Sequence, residues 1–211
     1  MMKLRLSLFA LLVASPMAVA DAQACIGSFA LPPSGATNFY ISGQVDQADF
    51  SEGSGLRLGV VTNNQKAGAF NFHFGYRTYT YDFGTETSAI DLNFLGGFPG
   101  KNALSRAGCF VVGLDAEFDE NDSGIMDTYV GMSFGHDFIL GPVAVVPFAT
   151  IGLNGATVID TEEEEYSGLS ELGVGFRIGN RLTATLSSRT IHSEFERNVT
   201  RLVLAFPLGA R

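Results

Sequence analysis

Three adjacent residues near the end of the chain, His192, Ser193 and Glu194, are of the types that hydrolases combine as base, nucleophile and orienting acid. Neighbouring residues on a β-strand point to opposite faces, so these side chains converge only if the segment is a loop. We therefore expect that the chain is not an enzyme. A hydrolase that acts on lipid A or on peptides stays open as an alternative.

A second polar segment, Asp119 to Asp127, resembles the first nine positions of a calcium-binding loop. The candidate ligands are Asp119, Asn121, Ser123 and Asp127. Val130 occupies the twelfth position, where such a loop needs a bidentate glutamate. His73 and His136 have no metal-ligand spacing with other residues. We predict a polar hairpin loop here, with no metal and no other cofactor.

The charge of the chain excludes one class of partner. The 211 residues include 13 Lys and Arg against 22 Asp and Glu, which gives a formal net charge of -9. Phosphates would be repelled by such a protein, so we expect no nucleic-acid binding.

The first 24 residues have the layout of a secretory signal peptide. Lys3 and Arg5 precede a short apolar run, and small residues ending at Ala20 or Ala24 provide a cleavage site. An exported chain follows, and we expect residues 25–38 to form a periplasmic tail.

Strict alternation of apolar and polar residues continues along nearly all of the mature chain. In the clearest stretch, Phe70, Phe72 and Phe74 are separated by Asn71 and His73. A period of two indicates β-strands, and we count about ten, many of them long enough to cross a bilayer when tilted.

The polar faces of these strands are rich in Gly, Ser, Thr and Asn, with a few charges of both signs. Small residues beside large ones fill the inside of a small barrel, where opposite charges can pair. The candidates for such ion pairs are Arg57, Arg77, Asp91, Asp115, Glu117, Glu171, Arg177 and Arg201. The apolar rows would then face lipid. The alternative is a secreted soluble barrel that binds an apolar ligand inside.

The whole mature chain resembles the family of small bacterial outer-membrane β-barrels. The resemblance is carried by "VPFATIGLNGA" after the "ILGP" turn, by "LGVGFRIGNRLTATLS" and by the final "TRLVLAF". It implies a closed, antiparallel, up-and-down transmembrane β-barrel of eight to ten strands over residues 39–211, with ten preferred. It also implies outer-membrane lipids and the barrel-assembly machinery as partners. We expect a monomer with a packed polar lumen and a structural or surface-interaction role, and not a general porin.

Two cysteines remain after removal of the signal peptide, Cys25 and Cys109. An even strand count places the tail and the start of the fifth strand on the same, periplasmic side. We therefore predict a disulfide between them, because an exported protein reaches an oxidising compartment. The alternative is a free Cys25 and a Cys109 that serves as a small apolar residue.

Overall fold

The structure is a computed structural model that describes residues 37–64, 68–97, 108–120, 123–135, 138–161, 163–179, 182–193 and 196–208. The strands are β1 (Thr37–Ala48), β2 (Ser51–Asn64), β3 (Gly68–Tyr81), β4 (Glu86–Gly97), β5 (Gly108–Phe118), β6 (Gly124–Gly135), β7 (Phe138–Leu140), β8 (Val143–Val158), β9 (Glu164–Ile178), β10 (Leu182–His192) and β11 (Arg197–Leu208).

Each strand pairs antiparallel with its neighbours, and the sheet closes where β1 pairs with β11. The short β7 follows β6 along the same partner, β8. These two segments therefore form one strand of the wall, and the barrel has ten strands. The prediction of a closed, antiparallel, up-and-down barrel, with ten strands preferred, is confirmed.

The strands run from Thr37 to Leu208. The predicted domain bounds, residues 39–211, stay a prediction. The predicted signal peptide, residues 1–24, lies outside the described residues. Only positions 37 and 38 of the predicted tail are described, so both segments stay predictions.

Among the residues that the structure describes, no helix is long and apolar enough to cross a membrane.

The alternation in sequence sorts the side chains onto two faces of the wall. On β3, Phe74 is 46% exposed on the outside, whereas the neighbouring His73 is 1% exposed inside the barrel. Leu58 on β2 and Leu204 on β11 are exposed on the outside in the same way. In water these apolar rows would be unfavourable, whereas lipid accommodates them. An apolar outer face with a polar inner face is typical of a transmembrane barrel.

The two ends of the barrel differ in their connections. One end, which we name the acidic end, carries the connections at 49–50, 82–85, 119–123, 159–163 and 193–196. At the other, the terminal end, β1 begins and β11 stops. Gly141 and Gly179 lie in connections at this end, and their φ angles of 63° and 55° are disfavoured for other residues.

Toward the terminal end the lumen contains apolar clusters beside buried polar side chains such as Asn71 and Ser133. The buried clusters there are Tyr40 with Val61, Val203 and Ala205; Leu95 with Cys109 and Val111; and Val146 with Phe148. The expected polar lumen is therefore mixed in this half of the barrel, where apolar and polar side chains are buried together. The reason is that β2, β8 and β11 carry aliphatic residues on both faces near this end.

Candidate functional site

Arg77 of β3 is buried at the centre of the lumen and faces carboxylates from three other strands. Its Nη1 lies 3.1 Å from Asp46 Oδ2 of β1, and its Nε lies 3.3 Å from Asp91 Oδ1 of β4. Its Nη2 donates to Asp115 of β5. One guanidinium therefore connects four strands across the inside of the barrel.

Two further arginines complete this group. Arg57 Nε donates to Asp91 Oδ2 at 2.9 Å, and Arg201 Nε donates to Asp46 Oδ1 at 2.9 Å. The lumen cluster, as we name it, consists of Asp46, Arg57, Arg77, Asp91, Asp115 and Arg201. Its charges balance, with three arginines and three aspartates. Balance matters because an unpaired charge in a low-dielectric interior is costly.

The strand register explains how this cluster forms. Gly75 pairs with Arg57 on one side and with Asp91 on the other, so the three residues lie in one row. A Cβ at Gly75 would lie 2.3 Å from Asp91 Oδ1 and 2.7 Å from Arg57 Cγ. Because Gly75 has no side chain, Arg57 and Asp91 have the room to form their ion pair across it.

A second ion pair lies on β9 and β10. Glu171 and Arg189 are directly opposite each other, and Arg189 Nη2 donates to Glu171 Oε2 at 2.9 Å. The guanidinium carbon of Arg189 lies 4.7 Å from the centroid of the Tyr129 ring. This pair extends the polar part of the lumen beyond the cluster.

The remaining lumen candidates have other surroundings. Glu117 accepts hydrogen bonds from Tyr81 and Thr87, both at 2.5 Å. Arg177 is half-buried near the terminal end of β9, and several residues of that strand separate it from Glu171. Asp46 and Arg189 are not among the ion-pair candidates predicted from the sequence, although both lie on polar faces of their strands.

The calcium-loop candidates do not come together as one ligand set in the described residues. Asp119 accepts a hydrogen bond from the Ser123 backbone N–H at 3.0 Å, which is a turn contact. Asp127 lies on β6, where Arg197 donates to it at 2.9 Å and Asn154 donates to it at 2.9 Å. Asn121 lies outside the described residues.

The described residues border an open space in the lumen at the acidic end. A vestibule of about 320 Å³ there is lined by residues that include Tyr81, Glu117 and Arg197, with Arg77 among the lining residues. Deeper in the barrel, between Arg57 and Phe148, a cavity of about 30 Å³ remains. A cavity of this size holds about one water molecule.

Cys109 lies at the start of β5, at the terminal end, and its side chain is fully buried. It is not a free thiol. Cys25 lies outside the described residues, so the pairing of these two cysteines stays a prediction.

The outside of the barrel carries a different polar group at the acidic end. Ser170 Oγ of β9 lies 2.8 Å from His192 Nε2 of β10, and His192 Nδ1 lies 3.3 Å from Glu196 Oε1. From the sequence, His192 is the candidate base, and its chain neighbours Ser193 and Glu194 are the candidates for the other two roles. Of these, Glu194 lies outside the described residues. Ser170 is 22 residues away in sequence, and only the strand pairing brings it to the histidine.

No protein-family model matches this chain, and no curated protein matches it. Among solved structures it is similar to the β domain of the Bordetella autotransporter BrkA, with 11% identity, a TM-score of 0.44, and 83% of this chain and 100% of that chain covered. It is also similar to the KdgM porin in complex with disordered oligogalacturonate, with 7% identity, a TM-score of 0.38, and 80% and 99% covered. A third similar structure is the N-terminal β-barrel domain of Pseudomonas aeruginosa OprF, with 11% identity, a TM-score of 0.35, and 82% and 98% covered. At this level of identity and TM-score the likenesses carry no functional argument, and the barrel is established by the strand pairing of the chain itself.

Proposed function

We propose that this chain is an outer-membrane β-barrel whose lumen is sealed by side chains, with a structural or surface-contact role. The observation that carries the proposal is the lumen cluster around Arg77, which ties β1, β3, β4 and β5 together across the barrel interior. A solute would have to break several buried ion pairs to pass it.

The apolar clusters at the terminal end support the same proposal. Tyr40 and Phe148 are each less than 10% exposed and fill the barrel below the lumen cluster. The cavity of about 30 Å³ between the two layers is too small for a solute larger than water. The vestibule at the acidic end is therefore a dead end in this proposal.

The placement in the membrane is supported by the exposed apolar rows and by the two unlike ends. The carboxylate-rich connections of the acidic end suit the cell surface, and the connections at 141–142 and 179–181 are as short as periplasmic turns, although the connection at 98–107 at the same end is the longest between two strands of the barrel. We propose membrane lipids and the assembly machinery as partners of a monomeric barrel. A soluble barrel for an apolar ligand is disfavoured, because its apolar rows would line the inside.

Conductance in planar bilayers tests the sealed lumen. We expect no steady open channel for the wild-type protein, and brief or small currents for Arg77→Ala, which removes the central guanidinium. Arg177→Ala, at the terminal end and away from the cluster, is the matched control and should stay silent. Stable channels of porin size in the wild-type protein would contradict the proposal.

A further inference from the structure

The group on the outer face of β9 and β10 has the geometry of a hydrolytic site. We propose that Ser170, His192 and Glu196 act as nucleophile, general base and orienting acid in the hydrolysis of carboxylic acyl esters. The substrate class is an amphiphile whose ester lies at the membrane–water boundary, and this part of the proposal rests on the membrane placement given above.

Ser170 contacts His192, and His192 contacts Glu196, which is the order that this chemistry needs. The 2.8 Å between Ser170 Oγ and His192 Nε2 is a hydrogen-bond distance, so the ring can take the hydroxyl proton. The other ring nitrogen, Nδ1, lies 3.3 Å from Glu196 Oε1, which is a common looseness in a site without substrate. The carboxylate can hold the ring in one tautomer and stabilise the imidazolium that forms.

The strand register places this site on the outside of the barrel. Ser170 pairs with Thr190, and His192 pairs with Gly168, so both catalytic side chains share the face of the exposed Leu172. A Cβ at Gly168 would lie 3.7 Å from His192 Cδ2. Because glycine has no side chain, the approach to the imidazole along β9 stays open.

The surroundings indicate which substrate can reach the serine. On β8, Ile151 pairs with Ser170 and Leu153 pairs with Gly168, and these two side chains are 61% and 66% exposed. An apolar groove of about 540 Å³ begins at Leu153 and Tyr166 and crosses the outer face to Phe72. Ser170 itself does not line this groove, but Leu153 at its near end pairs with Gly168, two residues from Ser170 on β9. An acyl chain that extends from the groove past Gly168 would bring its carbonyl carbon toward Ser170, with the alcohol part toward the water at the acidic end.

The reaction balances without any other reagent than water. Ser170 Oγ attacks the ester carbonyl carbon while His192 Nε2 takes its proton, and the C–O bond to the alcohol breaks as His192 returns that proton to the leaving oxygen. Water then attacks the acyl-serine, and the proton passes through His192 to Ser170 Oγ. One ester and one water give one carboxylic acid and one alcohol.

The test combines covalent labelling with ester turnover, using the refolded protein in detergent micelles. A fluorophosphonate is the probe for the nucleophile, and 4-nitrophenyl palmitate and acetate are the substrates. The variants are Ser170→Ala, His192→Ala and Ser188→Ala, where Ser188 is an exposed serine on the same face of β10 outside the triad. Heat-modifiable migration on a gel confirms that each variant is folded.

We expect one fluorophosphonate adduct on Ser170 and faster turnover of palmitate than of acetate. Ser170→Ala and His192→Ala should lower turnover by on the order of 10³-fold or more, whereas Ser188→Ala should not change it. Failure to label or hydrolyse in a folded wild-type protein would overturn the proposal, as would an adduct on another residue or undiminished turnover in Ser170→Ala. These outcomes do not depend on conductance, so the sealed lumen stands or falls separately.

Discussion

On β9 and β10, two polar pairs lie close together and have opposite surroundings: their β9 members are adjacent, and their β10 members are three residues apart. Glu171 and Arg189 face the lumen, where their side chains are 11% and 14% exposed and satisfy each other. Ser170 and His192 face outward, and the His192 side chain is 49% exposed. The first pair is enclosed and stabilises the barrel, whereas the second can be reached by a substrate. Neighbouring residues on a strand point to opposite faces. The same two strands therefore carry a structural ion pair inside the barrel and a reactive polar group outside it.

The largest expected effect comes from the inner face. Arg77→Met should lower the free energy of unfolding by about 3–5 kcal/mol, because it leaves the buried carboxylates of Asp46, Asp91 and Asp115 without their shared cation. Arg77→Lys keeps the charge but not the planar fork, and it should cost less. Equilibrium urea titrations of folding into vesicles measure both. An equal loss in the two variants would mean that charge does not hold the lumen together.

On the outer face, stability requires an apolar side chain and not a charged one. Phe72→Arg places a guanidinium on the lipid-facing side of β3 and should cost about 2–4 kcal/mol if the position is near the bilayer midplane. Phe72→Leu keeps the position apolar and should cost less than about 1.5 kcal/mol. The same vesicle titration compares them, and a Phe72→Arg barrel as stable as the wild type would place this face in water.

A smaller effect should distinguish two glycines on the first hairpin. Gly59 faces the lumen, and a Cβ there would lie 2.3 Å from Tyr40 Cζ, whereas a Cβ at Gly43 on the outer face would have nothing within 4 Å. Gly59→Ala should therefore cost about 1–3 kcal/mol through overpacking, and Gly43→Ala should be close to neutral. Thermal unfolding in detergent would show the difference, and equal midpoints would argue against a packed lumen at Tyr40.

The sequence predicts the strands of the barrel wall better than the side-chain contacts inside the lumen. A period of two along β3 or β11 is a local property, so strand number and the facing of Phe74 or Arg201 follow from the chain alone. The ion-pair partners inside the lumen do not follow from the chain alone, because the closure of the barrel decides them. Arg201 reaches Asp46 only when β11 pairs with β1. The apolar clusters in the terminal half of the lumen were missed because Val61 and the other aliphatic members lie on a strand face that was expected to be polar.

The outer site was missed for the same physical reason. Adjacent residues on a strand diverge, which argued against combining His192 with Ser193, whereas the pairing of β9 with β10 supplies a serine from another strand. Ser170 lies opposite Thr190 and reaches His192 diagonally, so without the register the sequence offers many serines in comparable positions.

The most direct test of the central claim uses the absence of tryptophan from the chain. Phe74→Trp and Phe83→Trp each introduce a single indole at an exposed phenylalanine, 46% exposed on the wall and 75% exposed in the acidic-end turn at 82–85. In vesicles of acyl-chain-brominated phosphatidylcholine, we predict strong quenching of the Phe74→Trp variant and little of the Phe83→Trp variant, with iodide in the buffer giving the reverse. If iodide quenched both variants and the brominated lipid quenched neither, the apolar wall would not face a membrane, and the account would be contradicted.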